Sequence, residues 1–173
     1  DEAERSYADA LRLFPNNQQR QGALYGVAWS QFEQKKFGKA VESFDQFSKL
    51  YPQSEHRLDA SLRKADCYFF LGEYSKSEDL YASLASEKKD GRYVEYAAFQ
   101  IAMSYIQRGD NERGIEHLRG FLSRFPNSIY NEVVQFNIAW TYFSKEQFTD
   151  ALKEFQSLLK AYPESQLMPR VFF

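Results

Sequence analysis

The stretch LYGVAWSQFEQKKFGKAVESFDQFSKLYP, residues 24–52, reads as two amphipathic helices joined by a short turn and closed by a proline. Its pattern returns every 37 residues along the chain. A fixed period of this length is the signature of a stacked helical repeat, and the sequence therefore predicts a solenoid. The recurring positions are one column of Ala28, Ala65, Ala102 and Ala139, a second of Ala23, Ala60, Ala97 and Val134, and the prolines Pro15, Pro52, Pro126 and Pro163.

The repeat register assigns residues 1–173 to a single array. It predicts a partial repeat in 1–15, whole repeats at about 20–52, 57–90, 94–126 and 131–163, and the start of a further repeat in 166–173. Because the two outer pieces are incomplete repeats, the chain is expected to be a fragment of a longer protein.

Glycines are expected to shape the turns and to weaken one helix. Gly72 should supply the left-handed, helix-ending position between two helices, which Lys35 leaves unfilled in the first repeat. Gly114 and Gly120 each cost about 1 kcal/mol of helix propensity. The second helix of the third repeat is therefore expected to be the weakest.

The composition narrows the classes of partner. Hydrophobic residues make up 43% of the chain and charged residues 27%, which is enough to bury a core. The net charge is −2 with both signs interspersed, and this disfavours nucleic acid as a partner. No apolar run approaches the roughly 18 residues of a membrane span, so direct membrane insertion is not expected.

The chemically reactive residues do not form a catalytic pattern. Cys67 is the only cysteine and is expected to be a buried small hydrophobe, while His56 and His117 are expected to have surface or capping roles. No phosphate loop, paired metal-binding histidines or nucleophile elbow occurs in the sequence. The sequence therefore predicts that the protein is not an enzyme and has no metal site and no cofactor.

The first repeat resembles the tetratricopeptide repeat (TPR), whose spacing is matched by Ala28, Ala40, Phe44 and Pro52. The fourth repeat resembles it at Ala139, Phe148, Ala151, Phe155 and Pro163, and the resemblance covers essentially the whole chain. It implies an all-α fold, a right-handed superhelical solenoid of antiparallel helix-turn-helix repeats. The usual TPR period is about 34 residues. The three extra residues, such as those at 55–57 or 129–131, are expected to lengthen each first helix by almost one turn.

The ends of the repeats carry a narrower resemblance. Tyr-Pro-x-Ser or Phe-Pro-Asn-Ser occurs at 51–54, 125–128 and 162–165, and is similar to the repeat ends of bacterial envelope TPR proteins. This resemblance implies a bacterial protein of the periplasm. The residues themselves leave the compartment open, and the cytoplasm is the alternative.

The first helices of TPR arrays line a concave groove, and the inward columns of this chain are unexpectedly aromatic. Exposed apolar patches usually mark contact surfaces, and tryptophan and tyrosine are favoured hot-spot residues. Three interpretations stay open: packed core between first helices, a groove for a peptide or protein, or a site for an apolar small ligand. The predicted partner-binding residues are Tyr25, Trp29, Phe32, Arg63, Phe69, Phe70, Phe99, Met103, Phe136, Asn137, Trp140 and Phe143.

The carboxylate clamp, by which TPR arrays hold the C-terminus of a peptide, is effectively absent. Among the matching positions only Arg63 could serve, and Asp66 lies three residues away to neutralise it.

The sequence therefore predicts a non-catalytic protein–protein interaction scaffold that buries a partner protein or peptide segment in an aromatic-rich concave groove. One alternative is a structural spacer or a module that self-associates through its repeat ends in an envelope assembly. Another is a regulatory array attached to a catalytic domain outside this stretch of chain.

Overall fold

The computed structural model describes residues 5, 9, 18–86 and 91–167, and within the two long ranges the chain is helical without strands. The all-α helical-repeat fold predicted from the period is confirmed. The remainder of the partial repeat in 1–15, the turn at 87–90 and most of the further repeat in 166–173 lie outside the described residues. The helices are α1 (Gln18–Glu33), α2 (Phe37–Leu50), α3 (Arg57–Phe70), α4 (Tyr74–Ser86), α5 (Gly91–Gln107), α6 (Asn111–Arg124), α7 (Asn131–Ser144) and α8 (Phe148–Ala161).

The chain divides into two compact units, residues 1–87 (unit 1) and 88–173 (unit 2). Helices α1–α4 belong to unit 1 and α5–α8 to unit 2, and within each unit the helices joined by a tight turn pack against each other. The core of unit 1 includes Leu24, Phe44 and Phe47. In unit 2, Leu118 and Ile138 lie in one buried cluster, and Phe155 and Leu158 in a second.

The small-residue columns lie in the buried interior of the helix pairs. Ala28, Ala65, Ala102 and Ala139 are all fully buried, as the spacing predicts. The matching column of the second helices includes Gly114, which is also buried. A methyl group built there would overlap Cγ1 of Ile106, so only a hydrogen atom fits between α5 and α6 at this point.

The turn inside each helix pair has one residue in the left-handed region. These residues recur every 37 positions: Lys35 (φ 58°), Gly72 (φ 76°), Gly109 (φ 90°) and Glu146 (φ 60°). The expectation that Lys35 leaves this position unfilled is wrong. The lysine adopts the same conformation as Gly72, because the N–H of Lys36 must donate to the carbonyl of Gln31 (2.9 Å) to end the helix.

The extra residues of the period lie in a linker in the second and fourth repeats, which corrects the expectation of longer first helices there. Helices α3 and α7 begin at Arg57 and Asn131, and each holds 14 residues. Residues 51–56 instead form two consecutive turns, in which Ser54 N–H donates to the Tyr51 carbonyl (3.0 Å) and Arg57 N–H to the Ser54 carbonyl (3.1 Å). Helix α5, which follows a different linker, has 17 residues.

The serine of the repeat-end motif fastens this linker. The hydroxyl oxygen of Ser54 accepts a bond from the N–H two residues on (3.1 Å) and a second from Nε2 of Gln21 on α1 (2.6 Å). Ser128 repeats both contacts: its oxygen accepts from the Tyr130 N–H (3.1 Å), and its hydroxyl donates to Glu95 on α5 (2.7 Å). The motif therefore ties each linker to the first helix of the preceding repeat.

None of the helices in the described ranges is both long enough and apolar enough to cross a membrane.

Candidate functional site

Helix α1 carries a ladder of aromatic rings in unit 1. The ring centroids of Tyr25 and Trp29 lie 6.4 Å apart, and those of Trp29 and Phe32 lie 5.8 Å apart. The ladder continues to Phe37 at the start of α2, 5.8 Å from Phe32 at an interplanar angle of 64°. Aromatic residues recur one helical turn apart here, so their rings stand above one another on one face.

Helix α7 carries the same ladder in unit 2, three periods later. The centroids of Phe136 and Trp140 lie 6.0 Å apart, and those of Trp140 and Phe143 lie 5.5 Å apart. Phe148, at the start of α8, is 5.6 Å from Phe143 at an interplanar angle of 65°. The two ladders therefore share one internal geometry.

The ladder of unit 1 is covered by α3. The guanidinium carbon of Arg63 lies 4.9 Å from the ring centroid of Trp29 and 5.8 Å from that of Phe32. Two helical turns later, Phe70 stacks on Phe37 with centroids 4.8 Å apart. A cation and an aromatic ring thus close the seam between the first and second repeats.

Arg63 is held by its own helix. It donates to the carboxylate of Asp66 (3.0 Å), which is buried and accepts a second bond from the hydroxyl of Tyr81 (2.6 Å). Arg63, the one candidate for a carboxylate clamp, therefore already forms an ion pair with Asp66.

In unit 2 the seam between α5 and α7 corresponds to the seam between α1 and α3, with Met103, Ile106 and Asn111 in the places of Trp29, Phe32 and Phe37, and it is open. Asn137 and Ser144 of α7 stand two periods after Arg63 and Phe70, and both side chains are shorter. A pocket of about 520 Å³ lies between α5 and α7 at this point. Its lining consists of Met103, Ile106, Gln107, Asn111, Phe136, Asn137, Trp140, Thr141 and Ser144.

The polar groups of the α7 wall donate their hydrogen bonds to α7 itself. Nδ2 of Asn137 donates to the carbonyl of Val133 (2.7 Å), and the hydroxyl of Thr141 donates to the carbonyl of Asn137 (2.6 Å). The hydroxyl of Ser144 donates to the carbonyl of Trp140 (2.9 Å). Each bond reaches four residues back. The wall therefore combines apolar and aromatic surface with side-chain oxygens that can accept.

The structure separates the predicted partner-binding residues into two groups. Tyr25, Trp29, Phe32, Arg63, Phe69 and Phe70 lie in unit 1, and Phe99, Met103, Phe136, Asn137, Trp140 and Phe143 lie in unit 2. Three of them are well exposed: Phe70 (57%), Phe143 (43%) and Trp140 (41%).

Several of the predicted residues contact packed side chains as well. Tyr25 and Phe32 pack against the core of unit 1. Phe99 stacks on Tyr130 with centroids 6.0 Å apart, and Phe136 meets Phe155 at 6.1 Å. Core packing thus accounts for part of the aromatic column, and the best-exposed stretch of it in unit 2 lies on α7.

Sequence reasoning does not single out Asn111, Thr141, Ser144 and Phe148. Phe148 stands out in the sequence only as part of the repeat pattern, yet it is 58% exposed. Ser144 could have been noticed by aligning the repeats, because it stands 74 residues after Phe70 and has a much smaller side chain.

The reactive residues lie outside the pocket. Cys67 is buried as predicted, and burial, aided by the charge of Asp66, raises its thiol pKa to about 12. His56 stacks on Tyr25 with centroids 4.7 Å apart, and His117 stacks on Tyr105 at 4.8 Å. Among the side chains that the structure describes, no group of three or more could hold a metal ion.

Two family models match parts of the chain. Residues 22–54 match a tetratricopeptide-repeat family, and residues 95–173 match YfiO, a family of outer membrane lipoproteins. No sequence among the curated proteins matches the chain.

Solved structures with similar folds come from diverse proteins. MamA from Desulfovibrio magneticus RS-1 has a TM-score of 0.72 at 19% identity, over 95% of this chain and 86% of that one. A tetratricopeptide-repeat protein from Parabacteroides merdae has a TM-score of 0.71 at 20% identity, over 94% of this chain and 60% of that one. The Rap conjugation gene regulator of plasmid pLS20, solved with the Phr* peptide, has a TM-score of 0.65 at 13% identity. The match covers 93% of this chain and 48% of that one. At these identities the likeness shows a shared fold.

Proposed function

Because this chain is a tetratricopeptide-repeat protein, we propose that it is a non-catalytic scaffold that binds a segment of a partner protein in the pocket between α5 and α7. The observation that carries the proposal is the open seam. Arg63 and Phe70 cover the aromatic ladder of unit 1, whereas Asn137 and Ser144 leave a pocket of about 520 Å³ in unit 2. This volume falls in the range of roughly 300–1,000 Å³ that is usual for binding pockets.

The lining of the pocket suits an apolar side chain of a peptide. Met103, Ile106 and Phe136 supply apolar contacts, and Trp140 adds a partly exposed ring of a type enriched at binding hot spots. Asn137, which also lines the pocket and donates its amide N–H to α7 itself, keeps a side-chain oxygen that can accept a bond from a peptide N–H. Affinity would come mainly from apolar area removed from water, at about 25 cal/mol per Å² before the cost of association.

Two likenesses support this function and its setting. The Rap regulator, which has a similar fold, was solved with a bound peptide. The match of residues 95–173 to outer membrane lipoproteins supports a location in the bacterial envelope. We therefore propose that the partner segment belongs to another envelope protein.

Site-specific photo-crosslinking in the native cells tests the proposal. A photoreactive residue in place of Gln107, which is exposed at the rim of the pocket, should capture one discrete protein. The same residue in place of Lys153, exposed on α8, should not. The product should vanish when Ser144→Phe fills the pocket, with the helical circular dichroism unchanged. Equal capture from both positions, or capture that survives Ser144→Phe, would contradict the proposal.

A further inference from the structure

The pocket between α5 and α7 lies where unit 1 holds a cluster of aromatic rings. In unit 1, Phe37 stacks on Phe70 with centroids 4.8 Å apart, and Phe32 lies 5.8 Å from Phe37 and 6.3 Å from Phe70. The repeat register puts smaller side chains in the places of these three rings, those of Ile106, Asn111 and Ser144. All three of the smaller residues line the pocket, so the space there corresponds to missing aromatic rings.

The charge of the lining favours a neutral ligand. The described residues that line the pocket include no acidic or basic side chain. In unit 1 the guanidinium of Arg63 enters the seam with its own counter-ion, the carboxylate of Asp66 at 3.0 Å. The register puts Trp140 in the place of Asp66 in unit 2, so a cation entering this pocket would have no carboxylate there. Burying an unpaired charge of either sign is costly.

The lining has an apolar part and a polar part. Met103 and Phe136 supply apolar surface. The polar side chains stand at helix ends, because Gln107 is the last residue of α5, Asn111 the first of α6 and Ser144 the last of α7. Their amide groups and hydroxyl oxygen can hydrogen-bond to a ligand. A side chain that matches both parts has an apolar body and a polar tip.

On the premise that this pocket binds a partner segment, as proposed above, we infer that a tyrosine side chain anchors that segment. The phenol ring occupies the space that the rings of Phe37 and Phe70 fill in unit 1, and it packs against Met103 and Trp140. The phenol hydroxyl hydrogen-bonds to the side-chain amide of Asn111. Tyrosine combines these two properties, and its ring gains from an aromatic neighbour beyond the area that it buries.

Phenylalanine and leucine are poorer occupants. A phenylalanine ring would fill the same space but would leave the amide of Asn111 without a ligand partner, and unpaired polar groups cost free energy when they are covered. A leucine side chain would in addition lack the planar ring that can stack on Trp140.

The test uses the whole chain, residues 1–173, labelled with carbon-13 in the methionine methyl groups. The chain has two methionines, and Met103→Leu identifies the signal of Met103. The probes are blocked tripeptides with tyrosine, phenylalanine, leucine or lysine between two glycines. The tyrosine tripeptide should shift the Met103 signal saturably, because a ring in the pocket acts on the nearby methyl group. Its dissociation constant should be about fivefold or more below that of the leucine tripeptide. The phenylalanine tripeptide should lie between them, and the lysine tripeptide should not saturate.

Two variants show whether the response comes from the pocket. Ser144→Phe places a ring in the pocket and should abolish the response to the tyrosine tripeptide. Lys153→Phe adds the same side chain at an exposed position of α8 and should leave the response unchanged. Circular dichroism checks that both variants keep their helical content.

The inference would be overturned if the tyrosine tripeptide did not saturate, if leucine or phenylalanine bound as tightly, or if the response survived Ser144→Phe. These failures are distinct from failure of the proposed function, which the photo-crosslink from position 107 tests. A discrete protein captured there without a preference for tyrosine would keep the function and overturn the tyrosine anchor alone.

Discussion

The four turn residues at 35, 72, 109 and 146 show how the repeat imposes a conformation regardless of residue type. Gly72 and Gly109 adopt positive φ without penalty, whereas Lys35 and Glu146 adopt it with a side chain that crowds the backbone. For ordinary residues the left-handed region costs on the order of 1 kcal/mol. The helix-ending hydrogen bonds of each pair outweigh this cost.

We expect Lys35→Gly and Glu146→Gly each to raise the free energy of unfolding by about 0.5–1 kcal/mol. The relief of backbone strain should exceed the entropy that glycine adds to the unfolded chain. Chemical denaturation of each single variant provides the measurement. Gly72→Ala is the matched control and should lower the free energy by about 1 kcal/mol. If the two new glycines were destabilising, the turn positions would not be strained.

At the scale of elements, the period of 37 residues could be read from the sequence, but its structural cause could not. An insertion of three residues shifts the register equally whether it lengthens a helix or extends a linker. The second and fourth repeats use the linker, where Ser54 and Ser128 bind the backbone two residues on and the preceding first helix. The serine motif is visible in the sequence, but its role is not, because both hydrogen bonds form only in the folded chain.

Helix α6 is expected from its sequence to be weak because it contains two glycines, and the structure separates their roles. A methyl group at Gly114 would overlap Ile106 on α5, while a methyl group at Gly120 would meet no heavy atom within 4 Å. Gly120→Ala should therefore raise the free energy of unfolding by about 0.5–1 kcal/mol through helix propensity. Gly114→Ala should lower it by about 1 kcal/mol or more, since overpacking outweighs propensity. Urea denaturation measures the free energy of unfolding of the two variants. If both substitutions raised it, α5 and α6 would be loosely packed.

At the scale of the whole molecule, the sequence located the aromatic columns but could not say which rings are covered. Trp29 and Trp140 stand at the same position of the repeat, and each lies beside the phenylalanine three residues on. Their surroundings in the fold differ. Arg63 of α3 lies over the ring of Trp29, whereas Trp140 lines the pocket between α5 and α7. Distinguishing core from binding surface therefore required the packing of neighbouring repeats.

The central claim is that the seam between α5 and α7 binds a partner because Asn137 and Ser144 leave it open. The most direct measurement is calorimetric titration of the partner segment captured at position 107 into two chains. One is unaltered, and the other carries Asn137→Arg with Ser144→Phe, which restores the residues that close the seam in unit 1. We predict at least a tenfold loss of affinity, about 1.4 kcal/mol, in the filled chain with its melting temperature maintained. Unchanged affinity in a filled and folded chain would contradict the account.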